Sequence, residues 1–176
     1  FLRIMGWKLV GEVPKEVKKA VLVGAPHTSN WDFPLALASF AIADLKVKYF
    51  IKKSWFFFPL NLLFKATGGV PVDRSKNYGL VDSMASLLKE SNEMIVVVPA
   101  EGTRSWVPKW KTGFYHIAKS AEVPIIMGYV DFKKNEVGFG PLLNISGDFE
   151  KDMTKIQAFF ENKGGKFPEK YNTRIF

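Results

Sequence analysis

Short apolar runs of strand length alternate with longer segments of helical period along this chain, and that alternation leaves few folds open. Ile95-Val96-Val97-Val98 is β-branched and continuous, as in a strand covered on both faces. Ala20-Val21-Leu22-Val23-Gly24-Ala25 reads the same way. The strand candidates are Ala20–Ala25, Val47–Ile51, Val70–Val72, Met94–Pro99, Ile125–Val130 and Glu136–Phe139. Between them lie helical patterns. One opens at Phe33 and runs apolar to Ala43, and another places Leu80, Val81, Met84, Leu87 and Leu88 on one face after Gly79. A third spans Thr112 to Ala121 and stops before Val123-Pro124. The last carries Phe149, Met153, Ile156, Phe159 and Phe160 and ends at Gly164-Gly165. The expected fold is a single α/β domain over 1–176, with a mostly parallel central sheet flanked by helices. A chain of 176 residues is long enough for one such core. The polar tail from Lys166 reads as loosely held.

The strand ending at Ala25 runs into Pro26-His27-Thr28-Ser29-Asn30-Trp31-Asp32. On a continuous helix His27 and Asp32 would point about 140° apart. A contact between them therefore needs His27 to precede the helix, and Pro26 favours that break. Asp32 then falls in the first helical turn, where the dipole favours a carboxylate. It can hydrogen-bond one imidazole nitrogen, fix the tautomer and leave the other nitrogen basic. That arrangement suits general-base work on a hydroxyl. The plainer alternative is a loop histidine beside a helix-capping aspartate.

Three other segments stand out. Gly68-Gly69-Val70-Pro71-Val72-Asp73-Arg74 pairs glycines that allow close backbone approach with a short strand delivering Arg74. Pro99-Ala100-Glu101-Gly102-Thr103-Arg104-Ser105 follows a strand directly, so Glu101 and Arg104 emerge at a carboxyl end, where open α/β sheets bind ligands. Val123-Pro124-Ile125-Ile126 enters an apolar strand. Each has a structural alternative: Arg74 pairing with Asp73, Arg104 with Glu101, and Pro124 merely starting its strand. His116 reads as structural and partly buried. Lys109-Trp110-Lys111 reads as an alternating basic-aromatic patch, either on a solvated or lipid-facing rim or on a phosphate-binding surface.

Four blocks in this order resemble the glycerolipid acyltransferase family, whose best-known members acylate lysophosphatidic acid. The blocks are His27…Asp32, Val70-Pro71-Val72-Asp73-Arg74, Glu101-Gly102-Thr103-Arg104-Ser105 and Val123-Pro124-Ile125, and the resemblance covers about residues 20–145. It implies that a fatty acyl group passes from acyl-CoA or acyl carrier protein to the hydroxyl of a lysolipid, with no tightly bound cofactor and no metal. His27 would take the hydroxyl proton, and Asp32 would orient it and stabilise the imidazolium. Arg74 and Arg104 would clamp an anionic head group. Glu101, Gly102 and Thr103 would shape the acceptor pocket, and Val123 and Pro124 would lie near the acyl donor. The family usually has proline directly before the Glu-Gly pair, whereas Ala100 stands there in this chain. The departure puts the acceptor geometry in question.

Composition narrows the alternatives. There are no cysteines, which rules out disulfides, thiolate zinc sites and a cysteine nucleophile. Ser29 sits in no Gly-x-Ser-x-Gly elbow, so direct transfer is simpler than an acyl-enzyme. The two distant histidines lack metal-ligand spacing. The net charge of +8 calls for an anionic partner: a membrane surface, acyl carrier protein or CoA. Nucleic acid explains only the charge, since no helix-turn-helix, zinc-ligand or RNP-like motif is present. No apolar run reaches membrane-spanning length, and Lys8, Glu12 and Lys15 interrupt any secretory signal. The chain opens at Phe1, not Met, so a preceding membrane segment stays open. Trp55-Phe56-Phe57-Phe58, flanked by Lys52, Lys53 and Lys65, reads as an interfacial membrane contact. The expectation is peripheral attachment to the cytoplasmic side of a membrane, the inner membrane of a bacterium. Two readings compete: acylation of another lysolipid, such as a lyso-ornithine or lyso-glycine lipid, and a non-catalytic lipid-binding protein.

Overall fold

The structure is a computed structural model that describes residues 1–72 and 79–176. Among the described residues seven strands form one sheet: β1 (Lys8–Val10), β2 (Lys19–Ala25), β3 (Val47–Lys52), β4 (Gly69–Val72), β5 (Met94–Pro99), β6 (Ile125–Asp131) and β7 (Glu136–Leu143). Their spatial order is β1-β7-β6-β2-β5-β3-β4. Strands β2 to β6 run parallel to one another, while β7 returns antiparallel to β6. The expected α/β domain with a mostly parallel sheet is what forms, and all six strand candidates are strands.

Five α-helices among the described residues cover the sheet: α1 (Asp32–Ile42), α2 (Leu60–Ala66), α3 (Leu80–Glu90), α4 (Gly113–Ala121) and α5 (Phe149–Phe160). Alternation along β2 divides the core. Val21, Val23 and Ala25 face α3, α4 and α5, where they meet Met84, Leu88, Phe114, Ile117, Met153 and Ile156. Ala20 and Leu22 face the opposite side with Phe40 of α1 and Tyr49 of β3. The central strands are therefore apolar on both faces, which is why their sequence shows no polar alternation.

β1 and the short helix α2 escaped the sequence, and β7 runs longer than its sequence pattern. β1 is three residues long, with only Leu9 turned inward, too short for a periodic signal. β7 extends to Leu143 past Gly140-Pro141. Its register shifts opposite Met127, between the pairs Gly128–Phe139 and Ile126–Leu142, and β1 pairs only with residues 136–138. Pro141, lacking an N–H, thus sits where no ladder bond on the outer side is asked of it.

The tail is the main correction. It is tied down by main-chain groups: Trp110 N–H donates to the Ile175 carbonyl at 3.0 Å, and Ile175 N–H donates to Gln157 Oε1 at 3.0 Å. Asn172 Nδ2 donates to the carbonyls of Val107 at 3.1 Å and Pro108 at 2.8 Å. Tyr171 hydroxyl donates to the Phe160 carbonyl at 3.0 Å, and Ile175 is fully buried. Polarity of the side chains hid this, because Ile175 is held through its backbone, while Asn172 and Tyr171 dock through the same polar groups that suggest exposure.

Candidate active site

β2 leads through α1 toward β3, while β5 leads through α4 to β6; the two connections cross opposite faces of the sheet in opposite directions. A crevice opens between such strands at their carboxyl ends. The loop after β2 carries His27, and the loop after β5 carries Glu101.

His27 precedes α1, and Asp32 is its first residue. The chain folds back between them, so that His27 Nδ1 lies 3.2 Å from Asp32 Oδ2. Ser29 makes this possible. Its N–H donates to the same Oδ2 at 2.9 Å, and its Oγ accepts from Trp31 N–H at 3.1 Å. Asp32 is buried, and its Oδ1 has no partner among the described residues. The carboxylate is thus fixed from its own loop, and the imidazole is held by Nδ1 with Nε2 on the far side of the ring. The dyad combines both expected features, since Asp32 also starts the helix.

Glu101 holds the loop from the neighbouring strand. Its Oε1 accepts the His27 main-chain N–H at 2.9 Å. The side chain is 1% exposed, and Oε2 has no partner among the described residues. Burial pushes its carboxyl above the usual range; the His27 N–H opposes that shift, and the nearby Asp32 charge adds to it. The alternative reading, an Arg104–Glu101 pair, does not form among the described residues: Arg104 and Thr103 are exposed on the loop surface. Gly102 turns that loop with a φ of +68°. Ala100 is fully buried and donates its N–H to the Gly24 carbonyl at 3.0 Å. Proline at that position has no N–H, so the departure adds one rung between β2 and β5 at the mouth of the site.

Several expected site residues lie elsewhere. Val123 and Pro124 precede β6, and the Val21–Ile125 pairing sets them at the amino edge of the sheet. That is about 16 Å of strand from the His27 loop. Val123 is buried in the core, and the Pro124 carbonyl accepts Val21 N–H at 3.0 Å. Arg74 lies outside the described residues. Trp110 is core, packed against Phe160 with centroids 5.3 Å apart, so no basic-aromatic patch exists there. His116 is exposed on α4, not partly buried.

The aromatic segment divides. Residues 56–59 are neither helix nor strand. Phe56 turns in against Phe64 at 5.6 Å, whereas Trp55, Phe57 and Phe58 are exposed, Phe58 to 77%. This segment follows the carboxyl end of β3, on the same edge as His27. Trp31 and Trp106 are also exposed, on the loops after β2 and β5. Of five tryptophans, the three that face solvent all belong to this one edge, and the other two are buried. Next to Trp31 an apolar cleft of about 350 Å³ opens between α1 and the N-terminal turn, lined by Met5, Trp7, Leu35 and Phe132.

A model of the Acyltransferase family matches residues 8–129, a stretch that contains both the His27 and Glu101 loops. The chain belongs to the Acyltransferase family. A 1-acyl-sn-glycerol-3-phosphate acyltransferase of Haemophilus influenzae is 31% identical over 133 residues, which are 70% of this chain and 53% of that protein. The chain therefore spans about half the length of this curated relative. The crystal structure of the 1-acyl-sn-glycerophosphate acyltransferase PlsC from Thermotoga maritima superposes with a TM-score of 0.65. The alignment covers 94% of this chain and 77% of that one at 17% identity, so the two share a fold.

Proposed function

We propose that this protein transfers a fatty acyl group from an acyl thioester, acyl-CoA or acyl carrier protein, to the free hydroxyl of lysophosphatidic acid. The observation that carries the reading is the His27–Asp32 contact at a strand's carboxyl end, inside the stretch matched to the family. The similarity to the Haemophilus influenzae enzyme supports the choice of acceptor.

In this reading His27 Nε2 takes the proton as the acceptor oxygen attacks the thioester carbonyl. Asp32, fixed by the Ser29 N–H, keeps Nδ1 protonated and offsets the charge of the imidazolium. Collapse of the tetrahedral intermediate breaks the carbon–sulfur bond, and the thiolate takes the proton back from Nε2. No covalent enzyme intermediate is needed. Arg104, with Thr103 and Gly102, offers the acceptor's phosphate an exposed cation at the rim, and Arg74 is assigned to the same phosphate by resemblance alone. The cleft beside Trp31 gives an alkyl chain an apolar wall.

The acceptor sits in a bilayer, so the site must reach one. Among the described residues no helix is long and apolar enough to cross a membrane. The exposed Trp31, Trp55, Trp106, Phe57 and Phe58 form an aromatic rim around the site, with Lys52, Lys53 and Arg104 exposed among them. Aromatics at headgroup depth and cations near anionic lipid favour peripheral attachment with this edge facing the membrane, on the cytoplasmic side.

The test is a donor and acceptor panel. Free thiol is measured from acyl-CoA and from acyl carrier protein, each with lysophosphatidic acid and with lyso-ornithine lipid, in the presence and absence of EDTA. The reading expects release that depends on lysophosphatidic acid and survives chelation. Release with the amino-acid lipid alone would replace the acceptor, and no release with any acceptor would favour a lipid-binding protein.

A further inference from the structure

The tail does more than close the core: its first residues touch the loop that carries His27. Asp131, at the carboxyl end of β6, is fully buried. Its Oδ1 accepts the N–H of Lys133 at 3.0 Å and of Gly164 at 3.1 Å, and Phe132 N–H donates to the Gly164 carbonyl at 2.8 Å. These bonds fix the chain where it enters the site. The next residue, Gly165, is buried against Thr28. A Cβ added there would lie 2.7 Å from both Thr28 Cγ2 and Thr28 Oγ1. Real Cβ atoms do not approach so closely, so Thr28 or the tail would have to move. Thr28 is 2% exposed, and its Oγ1 accepts Phe167 N–H at 3.3 Å. Lys166 Nζ lies 5.3 Å from the ring of Trp31. Thr28 and Trp31, both inside the His27–Asp32 turn, are therefore met by one four-residue segment. That segment lies outside the stretch matched by the family model.

We propose that residues 164–167, anchored by Asp131, are a positioning element for His27, with Gly165 and Thr28 as the contact through which they act. Thr28 follows His27 directly, so a displacement of Thr28 moves the imidazole relative to Asp32, whose backbone is fixed in the first turn of α1. Glu101 holds the His27 amide from one side, and the tail holds the next residue from the other. The catalytic consequence rests on the acyl-transfer reading; the contact itself does not.

The two histidines make the experiment simple. In protein labelled at histidine Cε1, the spectrum contains one signal from His27 and one from His116, which is exposed on α4 and serves as the internal control. Gly165→Ala is expected to move the His27 signal and leave His116 in place. Its kcat for thiol release should fall about 10- to 100-fold, with KM for the lysolipid within about twofold, as expected for a misplaced but intact catalytic group. Gly165→Ala/Thr28→Ala removes both clashing atoms, leaving Thr28 Cβ at 3.2 Å. It should recover kcat to within about threefold of Thr28→Ala alone, a non-additive rescue that independent structural damage would not give. If Gly165→Ala does not fold, Thr28→Val, which keeps the shape and removes the acceptor of Phe167 N–H, should still move His27. An unmoved His27 signal in the variants, or strictly additive losses, overturns the proposal. A His27 signal that moves in a protein with no acyl transfer sinks the functional reading and leaves the positioning intact.

Discussion

Glu101 Oε1 accepts the main-chain N–H of His27 at 2.9 Å, joining residues 74 apart in sequence at the mouth of the β2–β5 crevice. The bond links the two sequence blocks through backbone and not through the imidazole. Glu101→Ala would leave a partly buried N–H unpaired and is expected to cost about 1–3 kcal/mol, whereas Glu101→Gln keeps an acceptor there and should cost less. Urea unfolding of the two variants side by side checks the difference.

The same carboxyl sets a pH dependence. Burial raises its pKa in the folded protein. The folded state then holds its proton at pH values where the unfolded chain has lost it. Its contribution is complete below the unfolded value near 4.5 and is lost as pH rises through the folded one. Glu101→Gln lacks this loss. Its Tm relative to wild type should therefore climb from pH 4 to pH 8, and parallel Tm curves would contradict the assignment.

Asp32→Asn keeps the volume of the side chain but offers the wrong partner to His27 Nδ1–H. It should lower kcat by about 10²- to 10⁴-fold with a small change in KM, measured as acceptor-dependent thiol release. A loss confined to KM would place Asp32 in binding instead.

Much of this arrangement could be read beforehand, and the limits follow physical lines. The β2, β5 and β6 runs announce themselves because both faces of each strand are buried. The dyad is legible because its members are five residues apart and the break at Pro26 is local. Glu101's grip on the His27 amide is not, because it depends on two strands being neighbours. Val123-Pro124 shows a related failure: a sequence block carries no sign of which sheet edge it will occupy, and strand direction places this one at the amino edge. Trp110 alternates with lysines yet is buried, since Lys109 and Lys111 are exposed while the indole turns toward Phe160 and Tyr171.

Away from the site, Asp152 is the polar centre of the helical layer. It is fully buried and accepts from Tyr115 hydroxyl at 3.1 Å, Ser146 N–H at 2.9 Å and Ser146 Oγ at 2.9 Å. Asp152→Ala strands these donors and should cost about 3 kcal/mol, while Tyr115→Phe removes one bond and should cost about 1 kcal/mol. Chemical denaturation separates the two.

The rim aromatics should govern membrane binding without governing stability, because they are exposed. Phe57→Ser with Phe58→Ser is expected to weaken flotation with anionic liposomes at unchanged Tm. Phe56→Ser, which removes the packing against Phe64, should lower Tm instead. Undiminished flotation of the Phe57/Phe58 variant would remove this segment from the membrane-facing surface.

The most direct measurement compares wild type with His27→Ala in acyl-CoA thiol release with and without lysophosphatidic acid, alongside liposome binding of both. The account predicts release that requires the acceptor, disappears in the variant and leaves liposome binding intact. Equal release by the two proteins would contradict a general-base role for His27.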